Sequence, residues 1–254
     1  MAQSLQWLEL KEKLQHGHKG FNIYSSKDIK LGEDLKRRDI TINSIAKDVL
    51  TGEIIDPFNG VDDINKKIIR ATSKSFSEDP LRVYRVARFA SKLGFNVDEK
   101  TLKLMNSLKD ELEYLSPERV FDEFRKALNT SKPSTFFEIL RIANVLDVHF
   151  SEIAKLIGAE QPIKYHPEGD AYNHTMLALD MAAGLTKDEK IRFSVLVHDL
   201  GKGLTPKEEY PHHHDHDING VVQLEKLCNR LKIPNAWKKC GKVSCKEHMR
   251  RRNF

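Results

Sequence analysis

The placement of histidines sets the strongest limit on what this 254-residue chain can be. The stretch Ile191-Arg-Phe-Ser-Val-Leu-Val197 reads as an apolar helix and runs directly into His198-Asp199-Leu-Gly-Lys202. His174 lies upstream, and His213, His214, His216 and His248 lie downstream. A helix that delivers His and Asp side by side can place an imidazole nitrogen and a carboxylate oxygen on one divalent ion. Neighbouring helices can bring further imidazoles to the same point. Such an ion lowers the pKa of a water for attack on a phosphorus ester. The pattern therefore predicts a divalent-metal phosphohydrolase centre. His174, His198 and Asp199 are the first candidate ligands. His216 or His214, and then His248, follow as further ligands or substrate contacts. Lys202, one turn past Asp199, is expected to meet a phosphate oxygen, so His198, Asp199 and Lys202 are the candidate catalytic residues. The mix of imidazole and carboxylate suits Ni, Co, Mn or Zn. His166 beside Pro167 is expected to make a structural contact, His212 to be exposed, His16 and His18 to lie in loops, and His149 to cap a helix or sit in the core.

Composition narrows the class. A hydrophobic share of 39% with 31% charged residues suits a soluble globular chain rather than a disordered or membrane one. No run approaches the roughly 18 apolar residues of a membrane helix. The start, Met1-Ala-Gln-Ser-Leu-Gln-Trp7, lacks the basic-then-apolar layout of a signal peptide. Cys228, Cys240 and Cys245 are an odd number without C-x-x-C spacing, which predicts reduced thiols in a cytoplasm. The net charge of +5 permits a nucleic-acid partner without demanding one.

Along the chain, residues 1–72 look mixed. Gly20–Tyr24 and Glu53–Asp56 read as short strands, with a Thr51-Gly52 turn after Ala46–Leu50 and a closing turn at Asp56–Gly60. From Ser73 onward helix follows helix. Asp79-Pro80 reads as a helix start, with Leu81, Tyr84 and Phe89 as its apolar stripe and Gly94 as its end. Ser116-Pro117 opens a helix to about Leu128, Pro133 opens another, and Gly158–Pro167 reads as a linker.

Four motifs in the first half occur in one order and spacing. Lys36-Arg37-Arg38-Asp39-Ile-Thr-Ile-Asn43 resembles the R-R-D-x-T-x-N motif of class II tRNA nucleotidyltransferases, the CCA-adding and poly(A) polymerase superfamily. Glu78-Asp79-Pro-Leu-Arg82-Val-Tyr-Arg85 resembles its E-D-x-x-R-x-x-R motif. Glu118-Arg119-Val-Phe-Asp-Glu123 resembles its E-R-x-x-x-E helix, and Asp56–Gly60 also fits. Arg82, Arg85 and Arg88 recur every three residues, so they fan across one helix face and suit a triphosphate. The resemblance assigns Asp79 and Arg82 to reading the incoming base, and Arg38 and Arg85, beside Asp39, to the nucleotide phosphates or ribose. The second half resembles the HD domain of bacterial CCA-adding enzymes, through His166–Asp170, Asn173-His174, His198–Pro206, Pro211–Gly220 and Glu247-His248. In that family the domain hydrolyses 2′,3′-cyclic phosphates, 2′-nucleotides and simple phosphomonoesters.

The implied fold is mainly α. A remnant of a small α/β nucleotidyltransferase head (1–72) leads into a helical neck and body (73–158) and an all-α HD domain (159–254). Implied partners are tRNA, CTP and ATP, and phosphoester substrates, with no membrane.

Two departures qualify the resemblance. The family's G-G-x-x-R and D-x-D segments, whose carboxylates hold the Mg accompanying the nucleotide, have no counterpart before Arg37. The expectation is a polypeptide that does not add nucleotides alone and keeps phosphohydrolysis. The alternatives are a non-catalytic tRNA-binding module, or half of a split enzyme completed by a separate head polypeptide. In addition, no Asp follows Asp217, so either His248 fills the place of the late Asp of many HD proteins or that carboxylate is missing. The final Arg250-Arg-Arg252 reads as a solvated end.

Overall fold

Short β ladders begin the chain and helices build the rest, in a computed structural model that describes residues 9–13, 21–25 and 30–250. Strands β1 (Glu9–Lys13) and β2 (Phe21–Ser25) pair antiparallel, with Leu10 opposite Tyr24. Helix α1 spans Leu31–Lys36. Strands β3 (Ala46–Lys47) and β4 (Ile54–Ile55) form a second antiparallel ladder around Gly52, whose φ of 76° makes the turn the sequence predicts. Helix α2 (Gly60–Lys66) and strand β5 (Ile68–Ile69) follow. His16 and His18 lie outside the described residues.

The helical part comprises α3 (Arg82–Leu93), α4 (Glu99–Ser107), α5 (Lys109–Leu112), α6 (Pro117–Leu128), α7 (Ser134–Ile142), α8 (Leu146–Ala154), α9 (Ala171–Leu185), α10 (Glu189–Val197), α11 (His216–Leu231) and α12 (Asn235–Glu247). One strand interrupts the expected run of helices: β6 (Asn96–Val97) pairs parallel with β5, tying the chain after α3 back to the head. The described chain is mainly α.

Three local expectations change. Helix α3 begins at Arg82 rather than at Pro80, because Lys74–Glu78 forms a 3-10 turn that ends at Asp79, whose Oδ1 accepts from the Leu81 amide at 3.1 Å. Its core face is Val83, Tyr84, Val86, Ala87 and Ala90. Phe89 stands at the edge, with the Arg88 guanidinium 4.1 Å above its ring. The Gly158–Pro167 stretch is non-helical but is no loose tether. Ala159 is fully buried, Gln161 is buried, and Glu160 bridges to Asp170.

One hydrophobic core runs from Ile40 through to Cys245. Aromatic rings carry it between the two halves. Phe124 of α6 lies 5.3 Å from Phe150 and 6.4 Å from Phe193 of α10, and Trp237 of α12 lies 5.4 Å from both Phe193 and Phe121. Each buried ring of this kind contributes about 1.5–3 kcal/mol through removal from water. Polar ties reinforce the join. Buried Arg192 donates to the carbonyls of Leu128, Thr130, Ala183 and Thr186, so one side chain satisfies the open ends of α6 and α9. Arg230 of α11 forks onto Glu152 of α8 at 2.6 and 2.7 Å.

Candidate metal centre and nucleotide cleft

The candidate metal centre is assembled from helix ends. Asp170 caps α9 by accepting from the Asn173 amide at 2.8 Å, which fixes His174 in the first turn. Asp188 caps α10, whose Phe193, Leu196 and Val197 are buried, so the helix ends by presenting His198 and Asp199 at the edge of the core. His216 is the first residue of α11, and His248 follows the last residue of α12. Gly241 lets α12 approach closely: a Cβ there would meet Leu224 at 3.0 Å and Val197 at 3.1 Å.

Four imidazoles converge on the Asp199 carboxylate, which is 1% exposed. Oδ2 lies 3.1 Å from His198 Nε2 and 3.9 Å from His174 Nε2. Oδ1 lies 3.2 Å from His248 Nε2 and 3.8 Å from His216 Nε2. The opposite edge of every ring is engaged by an acceptor. His174 Nδ1 donates to Glu168 Oε1 (2.5 Å), His198 Nδ1 to the Val195 carbonyl (2.7 Å) and His216 Nδ1 to the His213 carbonyl (2.6 Å). His248 Nδ1 donates to the Ser244 and Cys245 carbonyls (3.1 and 3.0 Å). A carbonyl or carboxylate only accepts, so in each neutral ring the proton sits on Nδ1 and the Nε2 lone pair faces inward. His216 Nε2 and His248 Nε2 are 3.1 Å apart. Asp199 Oδ1 is buried with no hydrogen-bond partner. The Lys202 ammonium pairs with Oδ2, and the inward-facing acceptors around Oδ1 fit a further cation. Outer acceptors holding the far nitrogen are the usual support of metal-ligating histidines.

Electrostatics agree at His174 and His216 and differ at His248. Burial pushes the Asp199 carboxyl up, but His198, His248 and the Lys202 ammonium overcome this and hold it well below the usual carboxylate range. Burial lowers His174 and His216, favouring their neutral, ligating form. Burial would lower His248 as well, but Asp199 raises it.

Two expectations are corrected here. Of the pair His214 and His216, the structure brings His216 to Asp199. His214 is exposed and its ring stacks 6.3 Å from His212, because Asp215 (φ 53°) turns the chain between them. Lys202 is buried, and its ammonium is held by Asp199 Oδ2 (2.8 Å) and Gln161 Oε1 (2.6 Å), so it braces the carboxylate rather than reaching outward. His166 contacts Glu168 Oε1 at 3.1 Å, and exposed His212 stands clear of the centre. His213 joins Thr205 to the Glu160 carbonyl. Glu168 and Gln161 were missed in the sequence because loop residues follow no helical period that would place them against His174 or Lys202.

The second site is a cleft of about 650 Å³ lined by Arg38, Asp39, Asp79, Arg82 and Arg85, with Arg37 and Arg119 beside them. All five candidate nucleotide residues meet there, but they are not equally available. Asp39 is buried and accepts from the Ile40 amide, Asn43 Nδ2 and Arg85 Nε (3.0, 2.9 and 2.8 Å), which explains the Asp39–Asn43 spacing as a brace. Arg82 donates to the Ser75 and Arg37 carbonyls, each at 2.5 Å, rather than standing on a solvated stripe. Asp79 pairs with Arg119 at 2.9 Å. Arg88 bonds buried Glu123 at 2.5 Å. Arg38 has a side chain 48% exposed.

Family models match three successive stretches. They are the poly(A) polymerase head domain at residues 8–70, the "probable RNA and SrmB-binding site of polymerase A" at 94–157, and the HD domain at 166–251. The order head, RNA-binding stretch, HD domain is what the chain is similar to along most of its length. Solved structures share its fold. A tRNA-processing enzyme in apo form I is 21% identical over 91% of this chain and 58% of that one, with a TM-score of 0.55. A CCA-adding enzyme in apo form II is 18% identical over 93% and 59%, with a TM-score of 0.57. The Thermotoga maritima CCA-adding enzyme complexed with tRNA_CCA is 18% identical over 85% and 57%, with a TM-score of 0.51. The chain thus spans under two thirds of the length of those proteins. Among the described residues no helix is long and apolar enough to cross a membrane.

Proposed function

We propose that the His/Asp centre hydrolyses phosphoesters with a divalent metal, and that the arginine cleft binds CTP or ATP beside a tRNA end. The observation that carries the first reading is the donor set: the inward Nε2 atoms of four imidazoles around a buried carboxylate whose Oδ1 has no hydrogen-bond partner. His174, His198, Asp199, His216 and His248 would hold the ion, with Ni, Co, Mn and Zn suited to this donor set. When bound, such an ion polarises a phosphoryl oxygen and acidifies water. The chain's own residues supply the rest. Lys202 keeps Asp199 charged and in place, and the outer acceptors keep the imidazoles in one tautomer. Substrates of this centre are 2′,3′-cyclic phosphates, 2′-nucleotides and simple phosphomonoesters.

Support for nucleotide binding is the concentration of guanidiniums in one cleft, of which Arg38 is the most available to a triphosphate. Solved neighbours include a CCA-adding enzyme with CTP and one with tRNA_CCA. Phosphohydrolysis at the His/Asp centre is the activity we assign to these residues. The test is hydrolysis of 2′,3′-cyclic AMP and p-nitrophenyl phosphate across Ni²⁺, Co²⁺, Mn²⁺, Zn²⁺ and Mg²⁺. Turnover with none of them would sink the assignment.

A further inference from the structure

We infer that Glu168 is a positioning residue of the metal centre, setting the tautomer of His174 from outside the ligand set. The inference rests on the metal-centre reading above. His174 differs from the other three imidazoles. His198, His216 and His248 give their Nδ1 protons to backbone carbonyls that come with the helix ends, so no side chain is needed to orient them. His174 alone gives its proton to a side-chain carboxylate, Glu168 Oε1, at 2.5 Å.

That carboxylate is placed, not incidental. Glu168 has a side chain only 14% exposed, in a loop closed by Gly169 at φ 97° and anchored by Asp170, which takes both the Asn173 and Gly158 amides at 2.8 Å. The Glu168 carbonyl accepts from Asn173 Nδ2, holding the loop on the first turn of α9. The same Oε1 also faces His166 Nδ1 at 3.1 Å, and the His166 ring stands edge-on to His174 at 4.7 Å. His166 thus confines both partners.

A charged acceptor on Nδ1 makes the imidazole a stronger donor at Nε2, the nitrogen that faces Asp199 Oδ2. Without Glu168, His174 can move its proton to Nε2 and turn a hydrogen toward the metal position.

The test uses the full chain, stripped of metal, and titrates Co²⁺ by calorimetry and by the visible spectrum of the bound ion. Glu168→Ala should weaken Co²⁺ binding about 10- to 100-fold and alter the spectrum, while the melting temperature of the metal-free protein stays within a few degrees of the unaltered chain. Glu168→Gln, whose side-chain oxygen still accepts from Nδ1, should recover part of the affinity. Independently of any variant, ¹⁵N imidazole shifts of the metal-free chain should show His174 protonated on Nδ1. Affinity unchanged in Glu168→Ala, or His174 protonated on Nε2 in the unaltered chain, overturns the inference and leaves the metal centre standing. Absence of Co²⁺ binding by the unaltered chain overturns both.

Discussion

Tyr84 Oη lies 2.6 Å from His149 Nδ1, and both side chains are buried where α3 meets α8. Burial raises the Tyr84 hydroxyl, so it remains a donor, and burial together with Arg230 pulls His149 down to about 4. His149 therefore accepts as a neutral ring. Its folded pKa lies below the ordinary imidazole value of about 6.5, so the unfolded chain binds more protons between those values. The stability it contributes is complete above about pH 6.5 and is lost as pH falls toward 4. The loss between pH 7 and pH 5 should be about 2 kcal/mol for this group. Denaturant midpoints at the two pH values, compared between the unaltered chain and His149→Leu, measure it. The variant should be weaker at pH 7 and less pH-dependent, and an unchanged pH slope would refute the assignment.

Asp199 is the residue on which the centre depends. Asp199→Ala should abolish metal-dependent hydrolysis of 2′,3′-cyclic AMP, by at least about 100-fold, the scale of losing one electrostatic group at a reacting centre. It also leaves Lys202 with only Gln161 as partner. Lys202→Met should therefore lower activity by displacing the carboxylate. Full activity in the Asp199 variant would place the chemistry elsewhere.

Arg88 and Arg38 should separate structure from ligand binding. Glu123 is 3% exposed, so Arg88→Ala strips its nearest partner and should cost about 3 kcal/mol, or roughly 6–12 °C in Tm. Arg38→Ala should leave Tm within a few degrees and weaken CTP binding in calorimetry. Equal effects on Tm from both would contradict the division of labour drawn for the cleft.

Gly201 marks a backbone crossing. A Cβ there would sit 1.9 Å from the His216 carbonyl oxygen and 2.6 Å from the Gly220 amide nitrogen. Neither is a side chain that can swing aside, so Gly201→Ala must push α11 away and carry His216 with it. The expected result is a loss of 3 kcal/mol or more, above the usual ~1–3 of overpacking, with metal affinity reduced alongside. A chemical melt and a Co²⁺ titration would show it, and a variant normal in both would mean the crossing is loose.

Much of this protein is legible in its sequence, because local chemistry is written residue by residue. Pro117 and Gly94 mark a helix start and a helix end through fixed backbone angles, and both stand where the sequence places them. The apolar run of α10 predicts a buried helix that presents His198 and Asp199 at its end. The tertiary structure decides what depends on which elements meet. Only packing selects His216 over His214: after the turn at Asp215 His216 reaches Asp199, and His214 is left exposed. Only packing turns Arg82 and Lys202 inward, because the Arg37 carbonyl and the Gln161 amide oxygen that help hold them come from distant segments. Glu168 belongs to the same class: it is six residues from His174, on a loop with no repeating geometry, and a carboxylate's partner there is settled by the fold of the loop. Periodicity determines which face of a helix is apolar; the contacts between faces determine which polar groups are left for chemistry.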